Sequence, residues 1–280
     1  MKYLQRFKVR PGDAVHLKDI DSSFKDDHDN HAEAEDEIDR DRQKLRSLQG
    51  LIYADGSCSL LICLQGLDAA GKDGTIGHVL GAMNPQGCRV VGFRQPSVEE
   101  KAHDFLWRIH RATPALGQVT IFNRSHYEDV LVVRVHNMVP REVWERRYDQ
   151  INEFEKELVE SHTHVLKFYL HISEEEQLRR FERRLDDPAR RWKISESDYK
   201  ERAFWSDYRV AYDEVLSRCS TKHAPWFIIP SDHKWFRNLA IARVVVEHLE
   251  GLHLKSPEPS VDLAHIRKEY HADKMDKKKE

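Results

Sequence analysis

One short segment combines the residue types and the spacing that bind phosphate. Residues 66–72 read Gly-Leu-Asp-Ala-Ala-Gly-Lys, after the apolar residues 60–65 and before a predicted helix. In this order, backbone N–H groups can turn towards one anion, and the helix N-terminus adds a partial positive charge. Lys72 adds a full positive charge. We therefore predict a phosphate-binding loop whose binding residues are Gly66, Ala69, Ala70, Gly71, Lys72, Asp73 and Gly74.

Two acids distinguish this loop from the common pattern. Asp73 follows Lys72, at the position where Ser or Thr usually holds Mg²⁺. Asp68 lies inside the loop, where a carboxylate would repel phosphate unless a divalent cation lay between them. We therefore expect Asp68 to bind Mg²⁺.

The elements that must position this loop are short apolar runs separated by helical patterns. The runs predict five strands, at residues 60–65, 89–94, 119–123, 164–172 and 226–229. Alternating strands and helices predict an α/β fold with a parallel sheet, in which ligands bind at the carboxyl ends of the strands. With the loop after the first strand, the arrangement favours a P-loop fold of five strands flanked by helices, which the resemblance given below implies to be P-loop kinase-like.

The helical patterns also have predicted ends. Residues 32–49 form one amphipathic face that Gly50 is expected to close, and a long helix covers residues 143–158. Ser173 and Glu176 have the spacing of a capping box. A further helix is expected over residues 199–216, and Asp232 is expected to cap the last one, which ends at Gly251.

The third strand ends in a polar segment beside the predicted loop. Asn123 stands at the strand end as a neutral ligand, and Arg124 offers a fork of donors suited to phosphate oxygens. Glu128 has two interpretations that spacing does not separate: a metal ligand, or an acid favoured by a helix N-terminus. Arg94, at the end of the second strand, is also expected to contact ligand.

An arginine-rich segment follows the fourth strand. The segment from Arg179 to Lys193 contains seven basic residues, the two ends included. This pattern favours a lid, at about residues 179–197, that closes over phosphates and excludes water; the alternative is a solvated helix face with salt bridges. We expect Arg180, Arg183 and Arg184 to act from this lid. Arg108 and Arg111 are expected to line a groove for ligand.

Composition excludes several classes of function. The 280 residues contain 45 Lys and Arg against 48 Asp and Glu, a net charge of −3, which favours neither nucleic acid nor membrane binding. The four cysteines form no C-x-x-C pair and are expected to be free thiols in a reducing compartment. We see no signal peptide and no long apolar run, so we expect a soluble cytoplasmic protein. The expected divisions are an N-terminal arm and helix (1–50), a P-loop domain (51–255) and a mobile C-terminal tail (256–280).

Together these segments resemble polyphosphate kinase family 2. The resemblance runs from about Leu45 to Leu252, and its carriers are residues 66–76, 83–87, 105–111 and 122–131, with the arginine-rich lid. It implies a thymidylate-kinase-like fold and Mg²⁺-dependent phosphoryl transfer between inorganic polyphosphate and a nucleotide, by a homo-oligomer, a dimer or a tetramer. The resemblance gives Asp68 and Lys72 the catalytic roles of the loop, places Arg124 at the strand end and marks Arg184 as the lid residue. We also expect Asn123 and Glu128 to be catalytic and His126 to bind substrate.

One departure from the family pattern bears on the acceptor. Much of the family has Asp where this chain has Asn123, followed by Trp and Asn in place of His126 and Glu128. The chain is similar instead to the subgroup that accepts nucleoside mono- and diphosphates, so we expect AMP and ADP as acceptors and ATP as the final product.

Two other functions share part of this pattern. An ATP-dependent nucleoside or nucleotide kinase would use the same loop but would not need a long basic groove. A nucleotide switch would need an N-K-x-D guanine-binding motif, and no such run occurs in the sequence.

Overall fold

The computed structural model describes residues 2–193 and 195–276. Within them, five strands form one parallel sheet in the order β2-β3-β1-β4-β5. The strands are β1 Ser59–Gln65, β2 Cys88–Gly92, β3 Val119–Asn123, β4 Thr163–His171 and β5 Trp226–Pro230. The predicted α/β fold and all five predicted strands are confirmed, with ends that differ by no more than two residues.

Helices cover both faces of the sheet. The longer ones are α1 His31–Asp55, α2 Lys72–His78, α3 Arg141–Glu160, α4 Glu174–Asp186, α5 Glu196–Arg202, α6 Trp205–Arg218, α7 Lys234–Glu250 and α8 Leu263–Asp276. Single α-helical turns occur at Tyr3–Arg6, Val98–Lys101, Trp107–His110 and Val132–Val135. Turns of 3₁₀ helix occur at Leu17–Asp19, Leu80–Ala82, Pro85–Gly87, His126–Asp129 and Arg191–Lys193.

The central strand β1 is buried on both faces. Leu60, Ile62 and Leu64 belong to the core cluster that includes apolar side chains of α1 and α7. The alternate residues Leu61 and Cys63 belong to a separate cluster on the other face. A strand covered on both sides needs apolar side chains at every position, and this explains the uninterrupted apolar sequence.

The register of the sheet brings the candidate residues to one edge. Leu64 of β1 pairs with Asn123 of β3, and Gln65 pairs with Tyr169 of β4. Because all the strands run parallel, the loop after β1, the polar segment after β3 and the start of α4 after β4 leave the sheet at the same edge.

Two of the helix predictions are wrong, one in its end and one in its continuity. Helix α1 passes through Gly50 and ends at Asp55, where Gly56 takes the left-handed conformation with a φ of 65°. The fully buried Ile52 anchors this last turn in the core and offsets the helix propensity that Gly50 lacks, about 1 kcal/mol. The single helix predicted over residues 199–216 is two helices, α5 and α6, and no Gly or Pro in the sequence marks the break.

Two predicted caps also differ. Ser173 Oγ accepts from the Glu176 N–H, but the Ser173 N–H donates to Asp232 Oδ1 at 2.8 Å, so the reciprocal half of the capping box is absent. The Glu176 carboxylate accepts from Arg180 instead. Asp232 does not cap α7, since its carboxylate accepts hydrogen bonds from Ser173 N–H and from Ser22 Oγ.

The N-terminal arm is irregular, as predicted, yet it belongs to the core. The side chains of Val9, Val15 and Leu17 are buried. The arm pairs with the outer edge of β5, where Val9 N–H donates to Trp226 O and Ile228 N–H donates to Phe7 O, both at 2.9 Å.

Helix α8 lies within the predicted C-terminal tail, and its residues 263–271 are exposed. The mobility of that tail and the division into three segments stay predictions. Residues 277–280, which belong to the predicted tail, lie outside the described residues. The four cysteines are free, and all but Cys88 are buried. In the described ranges, no helix combines the length and the apolar character that crossing a membrane requires.

Candidate active site

The predicted order of strand, loop and helix is confirmed, with Gln65 ending β1 and Lys72 beginning α2. Lys72 Nζ lies across the loop and donates to Gly66 O at 2.6 Å and to Leu67 O at 3.2 Å. Burial, with a smaller contribution from the positive charge of Arg124, lowers the pKa of Lys72 from 10.5 to about 8. The amine is therefore a desolvated donor in the mouth of the loop.

Glycine is required at both ends of the loop. Gly66 and Gly71 have φ angles of 151° and 112°, which side chains disfavour. A Cβ atom on Gly71 would stand 1.8 Å from Arg237 Nη1, and one on Gly66 would stand 2.9 Å from Leu170 O. The close approach of α7 and β4 thus excludes a side chain at either position.

Arg124 joins the two carboxylates that were predicted to bind metal. Its Nη2 donates to Asp68 Oδ1 at 2.8 Å, and its Nη1 donates to Glu128 Oε2 at 3.2 Å. Glu128, and then Asp68, raise the pKa of Arg124 against the opposing effect of burial. Arg124 itself has a φ of 63°, so this contact is held by a strained backbone.

The two acids differ in their fitness for a metal. Both oxygens of Glu128 are occupied, since Gln65 Nε2 donates to Oε1 at 3.1 Å and Arg124 binds Oε2, and Glu128 does not line the cavity described below. This geometry gives no support to its predicted metal role, which stays a prediction. Glu128 does lie in the first turn of the 3₁₀ helix His126–Asp129, as its alternative interpretation expects, and it also pairs with Arg124. Asp68 does line the cavity, as do Asp73 and Asn123.

These oxygen donors fit a magnesium ion that is held mainly by substrate. Mg²⁺ usually takes one or two carboxylates together with phosphate oxygens and water. No group of three or more His, Cys, Asp or Glu side chains in residues 2–193 and 195–276 is arranged to hold a metal by itself. Asn123 Nδ2 donates to Asp73 Oδ1 at 2.9 Å and so joins the end of β3 to the start of α2.

The arginines of the predicted lid divide into two groups. Arg183 and Arg184 line the cavity, and Arg184 Nη1 also donates to Lys193 O at 3.2 Å and lies 3.7 Å from Asp198 Oδ2. Arg180, predicted to bind substrate, also lines the cavity but is only 4% exposed. Its guanidinium donates to the carbonyls of Ala69, Ala70, Ser231 and Asp232, so it braces the loop.

Outside the loop, three predicted substrate-binding residues do not line the cavity. His126 is fully buried, and its Nε2 lies 3.1 Å from Glu155 Oε1, because the 3₁₀ turn after β3 directs the ring into the core. Arg108 is 9% exposed and donates to Arg94 O. Arg111 stacks over the ring of Trp107. Arg94, predicted to contact ligand from the end of the second strand, does line the cavity.

The sequence reasoning missed the contribution of α7. Lys234, Arg237 and Asn238, near its start, line the cavity. Arg237 is 2% exposed and donates to Ala70 O and Asn238 Oδ1, and burial, with the nearby charge of Arg180, lowers its pKa to about 9. These residues follow β5 directly, so the rule that ligands bind at strand carboxyl ends could have found them.

The residues said above to line the cavity surround one space of about 1150 Å³. Its walls include five carboxylates, and they include eleven basic side chains, from Arg42, Lys72, Arg94, Arg124, Arg180, Arg183, Arg184, Arg190, Lys193, Lys234 and Arg237. Excess positive charge in a cleft attracts anions and strengthens their binding. The arrangement can hold a highly charged phosphate ligand and stabilise phosphoryl transfer.

Comparison with known proteins gives one consistent family. The family model described as Polyphosphate kinase 2 matches residues 28–257. An AMP/ADP-polyphosphate phosphotransferase of Meiothermus ruber is 44% identical over 260 residues, which cover 91% of this chain and 96% of that protein. An ADP-polyphosphate phosphotransferase of Rhodopseudomonas palustris is 39% identical over 270 residues, 91% and 92% of the two chains.

A solved structure agrees with this result. The crystal structure of polyphosphate kinase 2 from Arthrobacter aurescens TC1 superposes with a TM-score of 0.93 at 38% identity, covering 97% of each chain. Because the sequence match, the fold and the loop geometry agree over most of its length, the chain belongs to the polyphosphate kinase 2 family.

Proposed function

We propose that the protein is a polyphosphate-dependent nucleotide phosphotransferase. It transfers a phosphoryl group from inorganic polyphosphate to AMP or ADP, giving ADP and ATP, and it requires Mg²⁺. The names of the Meiothermus and Rhodopseudomonas relatives support polyphosphate as one substrate and AMP or ADP as the other.

The observation that carries this proposal is the basic cavity around the loop. A polymer with one charge or more per phosphate needs cations beyond those that bind a single nucleotide. Arg183 and Arg184 of α4 supply them from one side, and Lys234 and Arg237 of α7 supply them from another. The positive surface therefore extends past the loop itself and fits a polyanion.

The chain's own residues would perform the transfer mainly by positioning and by charge neutralisation. Lys72 and the loop amides hold phosphate oxygens at the transfer point. Arg124 and Arg184 neutralise charge on the transferring group. Asp68 would hold Mg²⁺, which would supply charge neutralisation for the phosphate oxygens. No strong base is needed, because the attacking nucleotide oxygen is already anionic.

An ATP-dependent nucleotide kinase is the alternative on the same fold, and one experiment separates the two. Purified protein is supplied with ADP, or with AMP, together with polyphosphate and Mg²⁺ but without ATP, and ATP is measured by luciferase. We expect ATP with either acceptor, with a lag when AMP is supplied because ADP must form first. Formation of ADP from AMP only when ATP is added would refute the proposal and favour the kinase.

We also propose that the enzyme is a cytoplasmic homo-oligomer, a dimer or a tetramer, that binds neither nucleic acid nor membrane. The support is the family resemblance and the small net charge of −3. Light scattering after size-exclusion chromatography measures the subunit number, and a mass equal to one 33.0 kDa chain would contradict the expected oligomer.

A further inference from the structure

Three consecutive carbonyl oxygens of the phosphate-binding loop accept hydrogen bonds from buried side chains. Gln177 Nε2 donates to Asp68 O at 2.8 Å. Arg180 Nη1 donates to Ala69 O at 2.8 Å and to Ala70 O at 3.0 Å. In a trans peptide the N–H points away from its carbonyl, so fixing these carbonyls towards α4 also fixes the following N–H groups in the opposite direction. Helix α4 therefore sets the orientation of the loop.

Gln177 has a second partner on the other side of its carboxamide. Arg202 Nη1 donates to Gln177 Oε1 at 2.6 Å, and Gln177 is 3% exposed. A backbone carbonyl only accepts hydrogen bonds and a guanidinium only donates them, so the residue between them must do both. A carboxamide meets this requirement. A carboxylate of similar size would accept from Arg202 but could not donate to Asp68 O.

Arg202 lies at the base of the lid. It is the last residue of α5, which begins at the end of the lid segment 179–197, and its guanidinium also donates to Glu174 O at 3.2 Å. At the other end, the carboxylate of Asp68 accepts from Arg124. A continuous series of hydrogen bonds therefore runs from the end of α5 through Gln177 to Asp68 and Arg124.

We propose that Gln177 is a positioning residue that couples the base of the lid to the loop by holding the Asp68 peptide and Arg202 at the same time. The coupling rests on the proposed function, because its effect is on the rate of phosphoryl transfer. Gln177 does not line the cavity, so it acts through the orientation of Asp68 and contacts no substrate.

The test compares three variants and their combination in the polyphosphate-to-ADP assay. Gln177→Glu removes the donor to Asp68 O and retains an acceptor for Arg202, Gln177→Met removes both, and Arg202→Ala removes the partner on the lid side. We expect each to lower kcat by about 10- to 100-fold, the loss that a displacement of about 1 Å in a catalytic group produces, with KM for both substrates unchanged. Lys200→Ala, exposed on the same helix α5, is the matched control and should retain wild-type kcat.

The double variant Gln177→Met/Arg202→Ala decides whether the two residues act as a unit. If they do, the second substitution adds no further loss of kcat to the first; independent residues give losses that multiply. Thermal unfolding of each variant checks the fold, and if Gln177→Met fails to fold, Gln177→Glu and Arg202→Ala together give the same comparison. Three results would overturn the coupling in a protein whose wild type is active. They are losses of kcat that multiply in the double variant, a wild-type kcat in Gln177→Glu, and an effect that is confined to KM. A wild type that makes no ATP from polyphosphate would refute the proposed function and the coupling together.

Discussion

Replacing Lys72 by Met separates the role of this amine in catalysis from its role in stability. Methionine retains most of the volume of the side chain and removes its charge and its donors. In the structure the amine reaches Gly66 O and Leu67 O across the loop, and Lys72 as a whole is 9% exposed. We expect the variant to lose activity and yet to unfold at the same or a higher temperature than the wild type.

The loss of activity follows from the loss of a preorganised charged donor. Removing one such donor from a water-excluded site costs about 3–4 kcal/mol of transition-state stabilisation, a factor of about 10² to 10³ in kcat. The measurement is the initial rate of ATP formation from ADP and polyphosphate under saturating substrates. Lys200→Ala, which removes an exposed amine, is the control for a general effect of charge.

The effect on stability has the opposite sign. Lowering the pKa of Lys72 from 10.5 to about 8 corresponds to about 3 kcal/mol of unfavourable free energy for the charged amine in the folded state. This cost is fully present below pH 8 and is relieved as the pH rises from 8 towards 10.5. At pH 7 the free energy of unfolding of Lys72→Met should therefore exceed that of the wild type by up to about 3 kcal/mol. As the pH rises from 8 towards 10.5, the free energy of unfolding of the wild type should approach that of the variant.

Two results would refute this reasoning. Retention of near wild-type kcat by a folded Lys72→Met protein would remove Lys72 from the transfer step. A free energy of unfolding at pH 7 that falls clearly below that of the wild type, without convergence at higher pH, would show that the amine stabilises the loop. Chemical denaturation at several pH values between 7 and 10 measures the difference.

Three further predictions test other parts of the site. Gly71→Ala should abolish activity and lower the unfolding temperature, because its Cβ would overlap Arg237. Gly77→Ala, in the helix α2 that follows Gly71, has open space and should do neither. Equal behaviour of the two variants in activity and melting assays would contradict the close approach of α7. His126→Gln should destabilise the fold by about 1–3 kcal/mol, because the buried Glu155 would be imperfectly paired. KM for polyphosphate should stay unchanged, and a raised KM would indicate that His126 binds substrate after all. Removal of Mg²⁺ with EDTA should stop ATP formation and added Mg²⁺ should restore it, and turnover that survives chelation would contradict the role assigned to Asp68.

The parts of the site that follow from local sequence could be predicted, and the parts that depend on packing could not. The loop, its lysine and its place after β1 follow from glycine spacing and an apolar run, and Arg124 follows from the end of β3. Arg180 and Arg237 carry the same charge as a substrate-binding arginine, and only the positions of α4 and α7 show that both donate to carbonyls of the loop while they line the cavity. His126 adjoins catalytic candidates in sequence, but the 3₁₀ turn directs it into the core.

The break between α5 and α6 illustrates a second limit of local patterns. Apolar spacing continues across residues 199–216 without Gly or Pro, so the sequence indicates one helix. In the fold, Arg202 at the end of α5 is bound to α4 through Gln177, and Phe204 packs against His136. Partners that are remote in the sequence therefore hold the two ends of the break.

The contact of the N-terminal arm with β5 has a consequence for how the chain can be shortened. The family match begins at residue 28, so a truncation designed on it would discard the backbone bonds that Phe7 and Val9 make with β5. Such a protein would present an open strand edge with unpaired N–H and C=O groups, a surface that recruits strands from other molecules and leads to aggregation. Residues 7–9 therefore cover the outer edge of β5. We expect an expression tag to be tolerated better when it precedes these residues than when it replaces them.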